Sequence, residues 1–490
     1  MSIMIGKKYQ QVVQFIREQI TNQCYLPDEK LPSIRALSQQ LQVSKNTVIR
    51  GYEQLEAAGD ITPHPRSGFR VSKLNTSSKE SQLPPSEVDL IGLSKVILSQ
   101  PLSPDLVHAG SAHPNTDFPA IRSLYAEIGR HSRYQTNIPS HYQIPPGNET
   151  LIKQLVHINQ ELGISTSPNK ILITHGAQQA ISLSLQAVTQ PGDVVLVDSP
   201  CYFGTLLIIE SLKLKAIEVP ANPTTGIDLA ATEHAINHWP IKAIVINPSY
   251  NNPTGYVMPD DARRQFLAIT KNIPIIEDDV FGGLAYQEHP ATLKSLDQQD
   301  RVIYCSSLSK TLDSRLRIGW VLAGKYQDAI EHRLLCDNMG SLNLMQSAVG
   351  EFLSSGKYRQ HLGVIRRTYR RNQRNFAALF VDALNQHPSL IGQFHLSQPE
   401  GSFLCWLTLP SNTDTFAIYQ QALTMGISIL PGSMFGTQGQ YNHCIRLSFA
   451  TFEQNDHWQQ GITLLAGIIA LHVTIKPISA HTKTSTIKRA

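Results

Sequence analysis

The chain has 490 residues, of which 41% are apolar and 16% charged, and carries a net charge of +4. That length exceeds one small core and implies about two to four domains. The composition excludes a chain disordered throughout, and the small charge excludes a polycation, so any contact with nucleic acid has to come from a local patch. The six cysteines, Cys24, Cys201, Cys305, Cys336, Cys405 and Cys444, are scattered and form no CxxC pair. This argues against a zinc site and against a disulfide scaffold. The opening MSIMIGKKYQ leads towards a helix rather than a secretory core, and the apolar run at about 461–475 is too short to span a bilayer. A cytoplasmic protein with no membrane partner is expected.

In chain order, residues 9–21 place Val12, Val13, Phe15, Ile16 and Ile20 at helical spacing. Ser33 is a good N-cap for a helix over 34–41, and Ser44 for a second over 45–58 that buries Val48, Tyr52 and Leu55 and stops at Gly59. Short β segments follow near Ile61 and at 69–71, joined by a turn containing Ser67-Gly68. Helix, helix, turn, helix, hairpin is the winged helix-turn-helix pattern, whose second helix of the pair enters the major groove with its N-terminal residues leading. Here those are Ser44, Lys45, Asn46 and Thr47, with Arg50 one turn on, and Arg66 and Arg70 on the wing. Over residues 1–72 nine basic side chains stand against six acidic ones, so this head holds most of the excess charge. The string LPSIRALSQQLQVSKNTVIRGYEQLEAAGDI with SGFRV closely resembles the DNA-binding domain of GntR-family regulators. The resemblance implies a double-stranded DNA operator as partner, met by Ser33, Arg35, Ser44, Lys45, Asn46, Thr47, Arg50, Arg66 and Arg70.

Residues 73–100 begin with the polar KLNTSSKESQLPPSE and read as a linker. From 101 to 472 β-branched runs such as VVLVD, AIVIN, IPIIED and RVIYCSS alternate with amphipathic helices. This is an α/β pattern with a mostly parallel sheet. Residues 473–490 are basic, lack acids and are expected to be a disordered tail.

Several motifs in the body suggest one chemistry. Lys310 lies in SSLSKTLDSRLRIGW just after a strand run, where an uncharged amine could form a Schiff base with an aldehyde cofactor. Ser307 and Arg317 flank it and could hold a phosphate. His175-Gly176-Ala177-Gln178 opens a helix and offers free N–H groups to an anion. Asp278 ends an apolar strand, where open α/β folds bind ligands and a carboxylate can keep a pyridine nitrogen protonated. Asn252, in the turn-rich NPSYNNPTG, could hold a phenolic oxygen.

Together these strings resemble fold-type-I pyridoxal-phosphate enzymes of the aspartate aminotransferase group. The resemblance implies pyridoxal 5'-phosphate as cofactor, with Lys310 as the Schiff-base lysine, Asp278 on the pyridine nitrogen and Asn252 on the ring oxygen. It also implies that Tyr202 stacks on the ring, that Ala177, Gln178, Ser307 and Arg317 bind the phosphate, and that Tyr142 reaches the phosphate of the other subunit of a homodimer. Arg446, in CIRLSFA, would grip a substrate carboxylate. One departure stands out. Phe281 occupies the position where the family usually has a tyrosine whose hydroxyl helps hold the ring oxygen.

A GntR-type head fused to such a body resembles the MocR subfamily of bacterial regulators. That implies a regulator whose body senses the cofactor with an amino acid or other amine effector. The alternative is a working aminotransferase with an autoregulatory or vestigial head. Two other features are expected to be structural: the arginine-rich helix at 359–380, read as a solvated connector, and His175, read as packed or capping.

Overall fold

The computed structural model describes residues 8–21, 25, 30–41, 43–64, 68–72, 84–98, 106–135, 142–222, 225–339 and 342–473. Arg66 and, apart from the buried Val473, the expected tail at 473–490 lie outside them.

The head contains three helices, α1 (Lys8–Thr21), α2 (Ile34–Gln40) and α3 (Lys45–Ala57), and a hairpin of β1 (Ile61–His64) and β2 (Gly68–Val71). Its core is Val12, Val13, Ile16, Leu31, Leu37, Val48, Tyr52, Leu55, Ile61 and Val71. The helices pack closely at Gly51, where an added Cβ would stand 2.6 Å from a Val12 methyl. Two local devices set the recognition helix. Ser44 Oγ accepts the Thr47 N–H at 3.2 Å, and Gly59 takes φ +78°, which halts the chain after α3.

The body is built on a nine-stranded sheet. Its strands are β3 (Ser86–Glu87), β4 (Ile171–Thr174), β5 (Val194–Ser199), β6 (Lys215–Asn222), β7 (Gly226–Ile227), β8 (Ile241–Ile246), β9 (Ile275–Asp278), β10 (Val302–Ser307) and β11 (Gly319–Leu322). The order is β3-β6-β5-β8-β9-β10-β11-β4, with β7 beside β6. Strands β6, β5, β8, β9 and β10 run parallel. Strand β11 is antiparallel to both β10 and β4, so β4 points the same way as the parallel set.

Alternate residues of these strands feed separate cores. Val195, Val197, Ala243, Val245, Ile276 and Ile303 join one layer, and Val194, Leu196, Ile244, Ile246, Ile275 and Val302 join the other. That is the pattern of a sheet buried on both faces. A second, antiparallel sheet holds β12 (His395–Leu396), β13 (Leu404–Thr408), β14 (Leu430–Pro431) and β15 (Cys444–Ser448), in the order β12-β13-β15-β14.

Two expectations are corrected. Residues 84–98, read as linker, belong to the body: β3 pairs with β6, Leu90 N–H donates to Glu210 at 2.9 Å, and Ile97 of the helix Ile91–Leu98 is buried in the main core. The polar opening of the segment hides these few apolar anchors. The arginine-rich helix runs from Lys357 to Asn385 and is less solvated than expected, burying Tyr358, Leu362, Ile365, Tyr369, Phe376 and Phe380 along one face. Among the described residues no helix is long and apolar enough to cross a membrane.

Candidate functional site

The C-terminal ends of β4, β5, β8, β9 and β10 share one edge of the sheet, and the candidate residues gather there. Open α/β sheets bind ligands at this edge. Lys310 follows β10, is half-buried, and donates from Nζ to Ala112 O at 2.7 Å. Burial disfavours its ammonium form, and the Arg446 charge adds to this. Asp278 pulls the other way, and the balance lowers the Lys310 pKa from 10.5 to about 8.

Asp278 ends β9 and is buried, with Oδ1 lacking any hydrogen-bond partner. Burial, reinforced by the charges of Asp279 and Asp198, lifts its carboxyl to about 7 against the opposing hydrogen bond from the Val280 backbone. Asn252 is buried opposite, and its Oδ1 accepts from Arg446 Nη1 at 3.3 Å. Arg446 comes from β15 of the second sheet and is also buried. Its Nη2 donates to Gly110 O at 2.6 Å, its Nε has no partner, and burial lowers its pKa to about 10.

The candidate anion cradle is shaped by backbone. Gly176, at φ +84°, precedes the helix Ala177–Val188, whose first N–H groups have no acceptor within the helix. Arg317 sits at φ 52° and donates from Nη2 to His175 O at 2.9 Å. A Cβ on Gly176 would stand 2.6 Å from Arg317 Nη2, and one on Gly319 would stand 2.4 Å from the Gly176 carbonyl carbon. Ser307 Oγ lies 2.7 Å from Ser309 Oγ and 3.0 Å from Ile318 O. Gln178 Nε2 turns to Gly204 O at 2.7 Å, which ties the cradle to the Tyr202 turn. Tyr202 is half-buried, and burial followed by the Asp278 charge raises its pKa.

The edge therefore brings together Lys310, Asp278, Asn252, Arg446, Tyr202, Ala177, Gln178, Ser307 and Arg317. Tyr142 is apart from them, 76% exposed at the surface. Phe281 is fully buried with its ring 5.4 Å from that of Phe403, so this position contributes packing and no hydroxyl.

Sequence reading missed three contributors. The backbone of residues 110–113 covers the site, its carbonyls meeting both Lys310 and Arg446. Asn247 holds the site from behind, accepting the Asn252 N–H at 2.8 Å and donating to Asp278 O at 2.5 Å. Asp198, at the end of β5, accepts from Asn251 and Tyr256. A polar residue ending an apolar strand was the available signal for Asn247 and Asp198. The short run AGSAH offered none.

In the head, Lys45 and Asn46 are exposed at the start of α3 beside half-buried Thr47, and Ser44 caps it. Arg35 is exposed near the start of α2, where Ser33 Oγ accepts the Ala36 N–H at 3.2 Å. Arg70 is half-buried on β2. The Arg50 guanidinium is 4.7 Å from the Tyr9 ring centroid, a cation–π contact that ties it to α1.

Residues 112–459 match the family described as Aminotransferase class I and II. Residues 8–71 match the one described as Bacterial regulatory proteins, gntR family. The chain is 33% identical over 454 residues to the HTH-type transcriptional regulator YjiR of Escherichia coli (strain K12), covering 90% of this chain and 95% of that one. It is 34% identical over 471 residues to the HTH-type transcriptional regulator YdcR of the same organism, covering 94% and 99%. Among solved structures, Pyrococcus horikoshii kynurenine aminotransferase in complex with PMP superposes with a TM-score of 0.68 at 25% identity, over 78% of this chain and 94% of that one. LysN, the alpha-aminoadipate aminotransferase from Thermus thermophilus, complexed with N-(5'-phosphopyridoxyl)-L-leucine, does so with a TM-score of 0.68 at 23% identity, over 77% and 93%. With a gntR-family head and an aminotransferase class I and II body matched along one chain, the protein belongs to the MocR-type GntR transcriptional regulators.

Proposed function

We propose that the body of this regulator holds pyridoxal 5'-phosphate, senses an amino acid or related amine, and reports it to DNA through the head. One observation carries the reading: at a single sheet edge, a lysine with a depressed pKa faces a buried carboxylate oxygen that has no partner. Such an atom calls for a partner, and a ligand at this edge would supply one. The N–H of a protonated pyridine fits Asp278, and the helix start at Ala177 and Gln178 with Arg317 and Ser307 fits a phosphate.

The cofactor, when bound, supplies an electrophilic carbon and an electron-withdrawing ring. With a pKa of about 8, about one Lys310 side chain in ten carries a neutral, nucleophilic amine at pH 7. Asn252 orients the ring oxygen, and Tyr202 covers the ring face. Arg446 exchanges its two neutral acceptors, Gly110 O and Asn252 Oδ1, for the charged carboxylate of an amino-acid effector. With the cofactor held, Lys310 Nζ would stand where it could take up or release a proton beside an incoming amine. Phe281 provides no hydroxyl to the ring oxygen, which favours sensing over rapid turnover. In a homodimer, Tyr142 of a second copy would complete the phosphate site, and two heads would read two half-sites. The effector changes DNA binding only in so far as it binds one arrangement of the dimer more tightly than another.

The test is fluorescence anisotropy on the duplex just upstream of the protein's own gene. A scrambled duplex serves as control, at fixed physiological salt, with and without pyridoxal phosphate. A preference for the native duplex that shifts with cofactor supports the sensor. Cofactor-independent binding removes the sensing role. The near-complete set around Lys310 also favours a second reading, a working aminotransferase. Sustained multiple turnover of amino groups to 2-oxoglutarate would establish that one.

A further inference from the structure

A cavity of about 260 Å³ lies against Ser306, Ser307 and Thr311, the segment that carries Lys310. Of the cradle residues only Ser307 borders it. Its apolar wall is anchored. Trp320 Nε1 donates to Asn159 at 3.3 Å, and Tyr358 OH donates to Thr311 Oγ1 at 3.0 Å, so the ring faces and Leu362 remain for a ligand.

One strong donor remains unused. Arg366 Nε donates to Gly283 O at 2.8 Å, while its two terminal nitrogens make no hydrogen bond or ion pair among the described residues. The largely buried His289 turns Nδ1 to Pro290 O. Its Nε2 is ion-paired with the buried Asp279 carboxylate at 3.6 Å, so His289 is already engaged. Glu161, which also borders the cavity, is paired with Arg359.

We propose that this cavity is a second ligand site that takes a small carboxylate with an aromatic or aliphatic body. The carboxylate meets the terminal nitrogens of Arg366, and the body lies among Trp320, Tyr358 and Leu362. A cavity of about 260 Å³ has room for a one-ring carboxylate such as benzoate. The site does not depend on whether the cradle is filled.

The experiment is calorimetric titration of the full chain with benzoate and with its neutral counterpart benzamide. An Arg446→Met background removes the carboxylate grip of the cradle. Saturable benzoate binding is expected there, with benzamide at least about tenfold weaker, corresponding to 1.4 kcal/mol. Arg366→Gln should weaken benzoate at least about tenfold, and Leu362→Trp, which fills the cavity, should remove binding. Because Arg366 also holds the Gly283 carbonyl, the filling variant checks the result independently. The proposal is overturned by an absence of saturable heat up to about 10 mM benzoate. It is equally overturned by undiminished binding in both cavity variants, or by loss of all binding with Arg446→Met alone.

Discussion

Replacing Asp278 by asparagine should have opposite effects on the cofactor-free protein at low and high pH. Its carboxyl is buried and lifted from 3.8 to about 7. A folded-state pKa above the unfolded one means that the folded chain holds the proton more tightly. The wild type therefore loses stability as pH rises from about 4 through about 7. At 1.36 kcal/mol per pKa unit the displacement amounts to about 4 kcal/mol at pH 8. The Asp278→Asn variant escapes that cost, but an amide accepting the Val280 N–H is left with an unpaired NH₂, a penalty of about 1–3 kcal/mol. The variant should thus be more stable than wild type by about 1–3 kcal/mol at pH 8, and less stable by a similar amount at about pH 3.5, with the two nearly equal around pH 5. Urea unfolding of the apo protein, followed by body fluorescence at both pH values, measures the crossing. Glu277 and Asp198 titrate in the same range but are common to both proteins. The same variant should bind pyridoxal phosphate about 10- to 100-fold more weakly, through loss of a charge-assisted hydrogen bond worth about 1.5–3 kcal/mol. Parallel pH–stability curves for the two proteins would refute the reasoning, since they would mean that Asp278 stays ionised in the folded apo chain.

Four further variants have expected outcomes. Lys310→Ala should abolish the visible absorbance that develops on mixing with pyridoxal phosphate. In the wild type the rate of that development should climb as pH passes through about 8, because the amine must be neutral to attack. Arg446→Met removes a charge that depresses the Lys310 pKa, so the midpoint of that pH–rate curve should move upward. Gly176→Ala combines φ +84° with a Cβ 2.6 Å from Arg317 Nη2; a loss of about 1–3 kcal/mol in thermal or urea unfolding and weaker phosphate capture in a binding titration should follow. Lys45→Ala should leave the fold intact and reduce the slope of log affinity against log salt by about one, as measured by anisotropy.

The head was legible because its determinants are local. The Ser44 cap, the buried spacing of Val48, Tyr52 and Leu55, and the stop at Gly59 lie within a few residues of what they control. Much of the candidate site was legible for a related reason. In a mostly parallel sheet the strand ends share one edge, so Asp278 and Lys310 stand out as polar residues closing apolar runs, and Asn252 follows another such run in its loop. Other features depend on which distant segments meet. Residues 84–98 look polar at their start, and only the pairing of Ser86–Glu87 with the sheet shows that they belong to the body. Nothing in the run AGSAH signals that its carbonyls will meet Lys310 and Arg446, since the partners lie about 200 and more than 300 positions away. Arg50, attractive as a groove contact, is drawn onto Tyr9 by the packing of α1 on α3. The sequence by itself determined the elements, the two-part organisation and which side chains to propose for the site, because periodicity and capping act over a few residues. Burial and charge proximity are properties of long-range packing, so only the tertiary structure decided which atoms were left without partners, which pKa values moved, and where a second cavity opened beside the lysine.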